Sequence, residues 1–316
     1  MIMKRVWTVK KGWAILALLL LAILQVTGLE GCKAAPKPKV VALNGVTGLG
    51  LALLFESGDY EMEVGKSADV AVARLTSEGA DIAALPVSTA ALLRNKGVPI
   101  KIAAVTNYGS LYVVSRDEGG LLKHASSYLG VPGKGTMPDV TLAILLAEYK
   151  SASSGVQYHS SPVELANLLM VGKVPAALLP EPWVSQVLAK DPELRITSDI
   201  QAEWKARFGF DYPLSCVVVT EKFAKERPED LKKLLSDIGK SVDWVKSNPG
   251  KAAVIAADKL SMEATATEKA VPRCNFAYLG GAAARGVSSE FYAKVLQYAP
   301  SMIGGKLPEE AFYLDN

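Results

Sequence analysis

Short apolar runs alternate with stretches of helical spacing along most of the chain from residue 40 onward. The runs at 40–43, 60–64, 81–85, 98–106, 111–115, 128–131, 156–158, 174–179 and 214–220 are short, and most are bounded by Gly, Pro, Ser, Thr, Asn or Asp, which predicts strands. Between them the pattern predicts helices over 47–58, 68–78, 90–95, 138–150, 161–172 and 200–209. Ser67 reads as an N-cap with Gly79 as the stop, and Ser161 with Glu164 spells a capping box. Trp204 and Phe208 share one helix face and read as core. Residues 116–127 read as a polar connector with His124 at the surface, and 188–197 as a connector with a short strand. After Thr220 the chain turns helical, over 231–247, 249–260, 264–270 and 288–298, with an irregular apolar piece at 271–279. Strands alternating with helices of about ten residues imply βαβ units and mainly parallel sheets, an α/β protein.

Several strand-to-helix junctions share one design. In VALNGVTGLG (residues 41–50) an apolar run ends in a loop carrying Gly45, Gly48 and Gly50, with Thr47 placed as an N-cap. Free backbone N–H groups at a helix start point beyond the strand end, and glycine lets a ligand approach the main chain. Asn44 and Thr47 add side-chain donors and acceptors. The spacing is not the G-x-G-x-x-G dinucleotide fingerprint, and no G-K-[ST] follows it, so alone it also fits a plain tight connection. The strand at 81–85 runs into Ser88 and Thr89 at the next helix start. At 132–139 (PGKGTMPD) Gly133 and Gly135 open the backbone, Thr136 is the expected N-cap, and several unpaired N–H groups are expected there. Lys134 is read either as an anion partner or as a solvated lysine. The fourth junction, Pro180-Glu181-Pro182-Trp183, restrains Glu181 and Trp183 in a turn that either binds or merely packs.

The front end changes the reading of composition. The 316 residues are 50% hydrophobic and 21% charged, enough for two domains with packed cores. Residues 1–13 carry Lys4, Arg5, Lys10 and Lys11, and 14–26 is apolar apart from Gln25. Thirteen residues at about 1.5 Å each fall short of a hydrocarbon core of roughly 30 Å but fit a signal-peptide h-region. Leu29-Glu30-Gly31-Cys32 then resembles a bacterial lipobox with Cys32 as the lipidated residue, and 32–38 reads as a proline-stiffened tether. Residues 1–31 hold four of the 35 basic and one of the 32 acidic residues, which leaves 31 of each and no net charge. A neutral mature chain carries no electrostatic case for nucleic acid. Cys216 and Cys274 are the remaining cysteines, read either as a disulfide or as two buried small hydrophobes. Neither they nor His124 and His159 have metal-site spacing, so no metal and no cofactor is expected.

Taken in order, VALNGVTGLG, GADIAALPVSTA, VPGKGTMPDVT, ALLPEPWVS, VPRCNFAYL and IGGKLPEEAFY span essentially the whole mature chain. Together with the lipobox they resemble the solute-binding lipoproteins of ABC importers that take sulfonates, nitrate, taurine and thiamine or pyrimidine precursors. The resemblance implies a two-lobed periplasmic-binding-protein type II fold, each lobe a mainly parallel sheet flanked by helices, joined by two crossover hinge segments. One lobe would comprise 39–107 with 215–316 and the other 108–214, after a signal peptide at 1–31 and the tether. Asn44, Thr47, Gly48, Leu49, Ser88 and Thr89 would line one wall of the cleft. Thr136, Met137, Glu181 and Trp183 would line the other, with Tyr108 near the hinge. Helix N-termini at Thr47, Ser88 and Thr136 would hold an anionic or polar group, Trp183 and Tyr108 would stack on a ring, and Glu181 would accept from an amine. No arginine is expected at these junctions. The implied partners are a small-molecule ligand, the permease and ATPase subunits, and the membrane through the lipid, for an extracytoplasmic monomer. The alternatives are a lipid-anchored sensor or interaction module, and an enzyme on the same fold, for which no nucleophile–base pair or paired carboxylates are evident.

Overall fold

The computed structural model describes residues 35–314. The expected signal segment and Cys32 lie outside the described residues, and 35–38 carry no helix or strand. From Pro38 onward the chain forms one compact unit. Its strands, in chain order, are β1 (Lys39–Leu43), β2 (Glu61–Gly65), β3 (Ile82–Pro86), β4 (Ile100–Tyr108), β5 (Leu111–Ser115) and β6 (Leu129–Pro132), then β7 (Val156–His159), β8 (Ala176–Pro180), β9 (Arg195–Asp199), β10 (Pro213–Thr220) and β11 (Phe276–Gly280). They build a six-stranded sheet in the order β11-β4-β10-β3-β1-β2 and a five-stranded sheet in the order β7-β6-β8-β5-β9.

In the larger sheet β1 pairs parallel with β2 and β3, and β10 runs antiparallel between β3 and β4, so β1 to β4 share one direction. In the smaller sheet β6 pairs parallel with β7 and β8, and β5 runs antiparallel between β8 and β9, so β6 to β9 share one direction. The central strands read as continuous apolar runs because both faces are covered, and successive residues serve different cores. Val40, Ala42, Ile82 and Ala84 join one cluster with Val217 and Val219. Val41, Leu43, Ala83 and Leu85 join another with Cys216 and Val218. That second cluster also holds Leu111, Val113, Ala176 and Leu178 of the smaller sheet, while Tyr112, Val114, Ala177 and Leu179 face a third. The shared cluster is filled by Trp204, Tyr212, Phe291 and Tyr292. The edge strands β2 and β7 are only partly covered and carry polar or charged residues, which discourages further strand pairing. Among the described residues no helix is long and apolar enough to cross a membrane.

Several elements depart from the pattern reading. The first helix is broken into Val46–Leu49 and Ala52–Ser57, where an i→i+3 bond from Leu51 N–H to the Gly48 carbonyl (2.9 Å) tightens the joint. Helix Trp183–Lys190 and strand β11 stand where a turn, a connector or irregular chain were expected, a further helix Glu221–Glu226 follows β10 directly, and the long C-terminal helix starts at Gly281 rather than at Ser288. The two cysteines are free and buried in different clusters, so they act as small hydrophobes, and burial pushes both thiols up. His124 is not a surface residue. The stretch around it forms helix Leu121–Ser127, which buries Leu121, His124 and Ala125, and His124 is 3% exposed with no partner for Nε2 among the described residues. Burial holds its pKa below the ordinary 6.5. A histidine kept neutral this way adds stability above pH 6.5 that is lost as the pH falls through its folded value. Urea titrations across this range should therefore show stability dropping on acidification, and His124→Gln should flatten that drop.

The chain passes from the larger sheet to the smaller at Gly109 and Ser110, between β4 and β5, and returns between helix Ile200–Phe208 and β10. The two passages lie against one another. Gly109 N–H donates to the Tyr212 carbonyl (3.1 Å), and a Cβ on Gly109 would stand 1.8 Å from Tyr212 Cζ. The ring cannot retreat, because it is fully buried against Trp204 (centroids 5.1 Å apart) and stacked on Phe291 (6.0 Å). A third segment joins here: Asn275 Nδ2 donates to the Gly109 carbonyl (2.6 Å) and Tyr108 N–H donates to the Asn275 carbonyl (3.0 Å). Gly109→Ala should cost about 2–3 kcal/mol in equilibrium unfolding. Gly286→Ala, in helix Gly281–Tyr298 with open space where the methyl would sit, should add about 0.5–1 kcal/mol.

Candidate functional site

Each junction singled out in the sequence sits at the carboxyl end of a strand: β1, β3 and β4 in one sheet, β6 and β8 in the other. In open α/β sheets this is where the chain leaves room for a ligand. After β1 the N-cap position belongs to Gly45, at φ +89°, whose carbonyl accepts from Gly48 and Leu49 N–H (3.2 and 3.1 Å). Thr47 is therefore inside the first turn rather than capping it. Its Oγ1 lies 2.8 Å from Ser215 Oγ on β10, which ties the loop to the strand returning from the other sheet. Asn44 is exposed, with its N–H on the Gly65 carbonyl (3.1 Å). Gly48 is pressed onto β1, since a Cβ there would meet the Leu43 carbonyl oxygen at 2.0 Å. Leu49 is fully buried in the core.

After β3, helix Val87–Asn95 begins directly behind Pro86, with Ser88 buried and Thr89 half-buried in its first turn. After β6, Thr136 does hold the N-cap position of helix Met137–Glu148, but its hydroxyl turns back and donates to the Pro132 and Gly133 carbonyls (2.8 and 2.7 Å). The loop N–H groups are less free than expected. Gly135 N–H donates to Asp139 Oδ2 (2.8 Å), and Gly133 N–H to the His159 carbonyl (2.8 Å). Lys134 lies over the Tyr158 ring at 5.7 Å, and Tyr158 OH donates to Asp139 Oδ1 (2.9 Å). Ser88 and Thr89 at a strand end of one sheet and Met137 at a strand end of the other line a single open cavity of about 380 Å³, which Ala299, Ser301 and Met302 also border. Tyr108, at the end of β4, is half-buried, and burial with the nearby Asp211 charge pushes its phenol up.

At the end of β8 the side chain of Glu181 is fully buried. Its carboxylate accepts from Ser185 N–H and Ser185 Oγ (both 3.0 Å) at the start of helix Trp183–Lys190, and from Arg273 Nε (2.5 Å). Burial pushes the carboxyl above its usual range, opposed by Arg273 and the two serine bonds. No arginine lies within the junction segments themselves; this one arrives from elsewhere in the chain. Arg273 precedes β11, belongs to the larger sheet's layer, and reaches across to the smaller sheet's loop. Trp183 is half-buried and packs against the apolar cluster around Val114 and Leu179. Sequence reading missed Arg273, Ser185 and Ser215. A charged residue inside the apolar run 271–279 was the signal for Arg273; the two serines carried none. Among the described residues no three His, Cys, Asp or Glu side chains gather as metal ligands would.

Two mixed sheets of this strand order, with candidate loops at their carboxyl ends, define the type II periplasmic-binding-protein fold. The NMT1-like family matches over residues 54–258, and the chain belongs to that family. A solved ABC transporter structure from Parabacteroides distasonis superposes with a TM-score of 0.78 at 28% identity, covering 89% of this chain and 99% of that one. The periplasmic aliphatic sulphonate binding protein SsuA from Escherichia coli gives 0.72 at 12% identity over 89% and 93%. The alkanesulfonate-binding protein SsuA from Xanthomonas axonopodis pv. citri, bound to MOPS, gives 0.65 at 9% identity over 89% and 100%. The two SsuA structures share the fold. Among curated proteins none matches the chain.

The Thr47–Ser215 bond is measurable without a ligand. Thr47→Val should cost about 1 kcal/mol, because it leaves the buried Ser215 hydroxyl short of a partner. In a double-mutant cycle with Ser215→Ala by urea unfolding the two effects should be clearly non-additive.

Proposed function

We propose that this protein is the extracytoplasmic substrate-binding component of an ABC importer, capturing a small polar or aromatic organic solute between its two sheets and delivering it to the permease. The observation that carries this is the cavity shared by Ser88, Thr89 and Met137, which draws on strand-end loops of both sheets. Its size is in the range of small-molecule sites. Residues 39–107 with 215–316 act as one lobe and 108–214 as the other, moving about the passages near Gly109 and Tyr212. A ligand touching both lobes favours the approached state by its differential affinity for it. The permease and its ATPase then read the closed face.

Asn44, Thr47, Gly48, Leu49, Ser88, Thr89, Tyr108, Thr136, Met137, Glu181 and Trp183 are the candidate ligand shell. Backbone and hydroxyl groups would serve the polar end of the solute, and Tyr108 and Trp183 a flat or apolar part. Leu49 contributes through its backbone and by packing the loop, given its burial. The basic and apolar segment before Leu29-Glu30-Gly31-Cys32 supports a lipoprotein signal, with Cys32 as the membrane anchor of a monomer. No catalytic role is assigned to the fold.

Native mass spectrometry of the full chain purified in detergent should release a stoichiometric small molecule, or a thermal-shift panel of sulfonates, pyrimidines, flavins and aromatic acids should contain at least one stabilising compound. An empty protein that no compound stabilises would overturn the reading. With a binding compound in hand, Trp183→Ala should weaken affinity at least tenfold while unfolding stays cooperative.

A further inference from the structure

Asn44 stands where β1 gives way to the first junction loop, and Gly45 follows it, which makes the one Asn-Gly pair in the chain. The Asn44 side chain is exposed, and among the described residues neither its amide nor the Gly45 N–H enters a hydrogen bond. Gly45 sits at φ +89°, and a Cβ built on it would meet nothing within 4 Å. The Asn44 side-chain carbonyl can therefore turn over a peptide nitrogen that no Cβ screens. The other asparagines of the described residues are held. The amides of Asn95, Asn107, Asn248 and Asn275 each donate to a backbone carbonyl, and none of the four precedes a glycine. Asn167 is fixed within helix Pro162–Met170 with the bulky Leu168 next to it.

We propose that Asn44 is a modification site, deamidating spontaneously to aspartate and isoaspartate in the folded protein, and that the change disables this loop for binding. Asparagine is among the thermolabile residues. The Gly45 nitrogen gives up its proton and attacks Asn44 Cγ. A new N–C bond closes a five-membered succinimide, the Cγ–Nδ2 bond breaks, and ammonia leaves with that proton. Water then opens the ring at either carbonyl. Opening at Cγ gives aspartate on the original backbone; opening at the main-chain carbonyl gives isoaspartate, in which the chain runs through Cβ and Cγ. Water is the sole co-reactant, and nothing is oxidised or reduced. Both products carry a new carboxylate, and isoaspartate lengthens the backbone by one atom. That atom enters directly before the Gly45 carbonyl that accepts from Gly48 and Leu49, and before the Thr47–Ser215 bond. The loss of binding rests on the reading above, in which this loop belongs to the ligand shell; the deamidation does not.

The test is incubation of the full chain in detergent at 37 °C, at pH 6.5 and at pH 8.5, beside the same chain unfolded in urea. Rapid tryptic digestion then isolates the peptide between Lys39 and Lys66, which holds Asn44. In the folded chain that peptide should gain the mass difference between an amide and an acid and split into two chromatographic forms. The rate should lie within tenfold of the unfolded chain's and rise severalfold at pH 8.5, because the attacking nitrogen must lose its proton. Peptides carrying Asn95, Asn107 and Asn275 should keep their masses in the folded chain. Conversion of Asn44 in urea but not in the folded chain overturns the assignment, since the loop would then be holding the two groups apart. Anion exchange separates the aged protein into parent and more acidic fractions, and native mass spectrometry should find at least tenfold less co-purified solute on the acidic one. Asn44→Gln, which would have to close a six-membered ring, should give no acidic fraction. Equal occupancy of the two fractions overturns the effect on binding. If neither fraction carries solute, the effect on binding falls together with the binding reading, while the peptide masses still decide the modification site.

Discussion

Where the chain passes between its two sheets, the backbone at Gly109 lies against the Tyr212 ring at a separation no Cβ would permit. Much else follows from that approach. Tyr212 is wedged there by Trp204 and Phe291, side chains from helices of the two different layers, so the same aromatic group that seals the passage also fills the core common to both sheets. Asn275 brings the segment before β11 onto the same spot. The consequence for function is geometric: fixing the passages fixes which strand ends of one sheet share space with which strand ends of the other.

Complete coverage of the central strands then restricts where chemistry can occur. With both faces of each sheet committed to apolar clusters, polar groups are affordable chiefly at the strand ends, where a loop or helix start replaces the missing ladder partner. Ser88, Thr89, Thr136 and Glu181 all stand at such ends. Glu181 shows how demanding the position is. Its carboxylate is removed from water, and it needs the start of helix Trp183–Lys190, the Ser185 hydroxyl and Arg273 together to be accommodated. The Arg273 that answers it comes from the other sheet's layer, so this polar cluster exists only when the two layers are in register.

The central strands were legible because their hydrophobic runs are short, and successive residues of β1, β3, β5 and β8 alternate between two apolar clusters. The elements missed were those whose signal is weak or mixed. Helix Leu121–Ser127 hides its apolar face in only three residues, one of them a histidine; β11 is paired along one edge and interrupted by a register shift. Caps were placed well and their chemistry less so. Thr136 occupies the N-cap position yet its hydroxyl bonds backward to the Gly133 and Pro132 carbonyls, and Asp139 takes the Gly135 N–H.

The amino-acid sequence by itself determined the α/β class, the order of most elements, the loops at the strand ends and the neutral charge balance of residues 32–316. These depend on local patterns, in which each residue's neighbours along the chain carry the information. Only the tertiary structure decided that Thr47 meets Ser215, that Ser88 and Met137 share a cavity, and that Arg273 crosses to Glu181. The last of these pairs residues 92 positions apart. No local rule links them; they meet because two sheets that share one apolar cluster are locked together at Gly109 and Tyr212, and the buried carboxylate on one side requires a cation from the other.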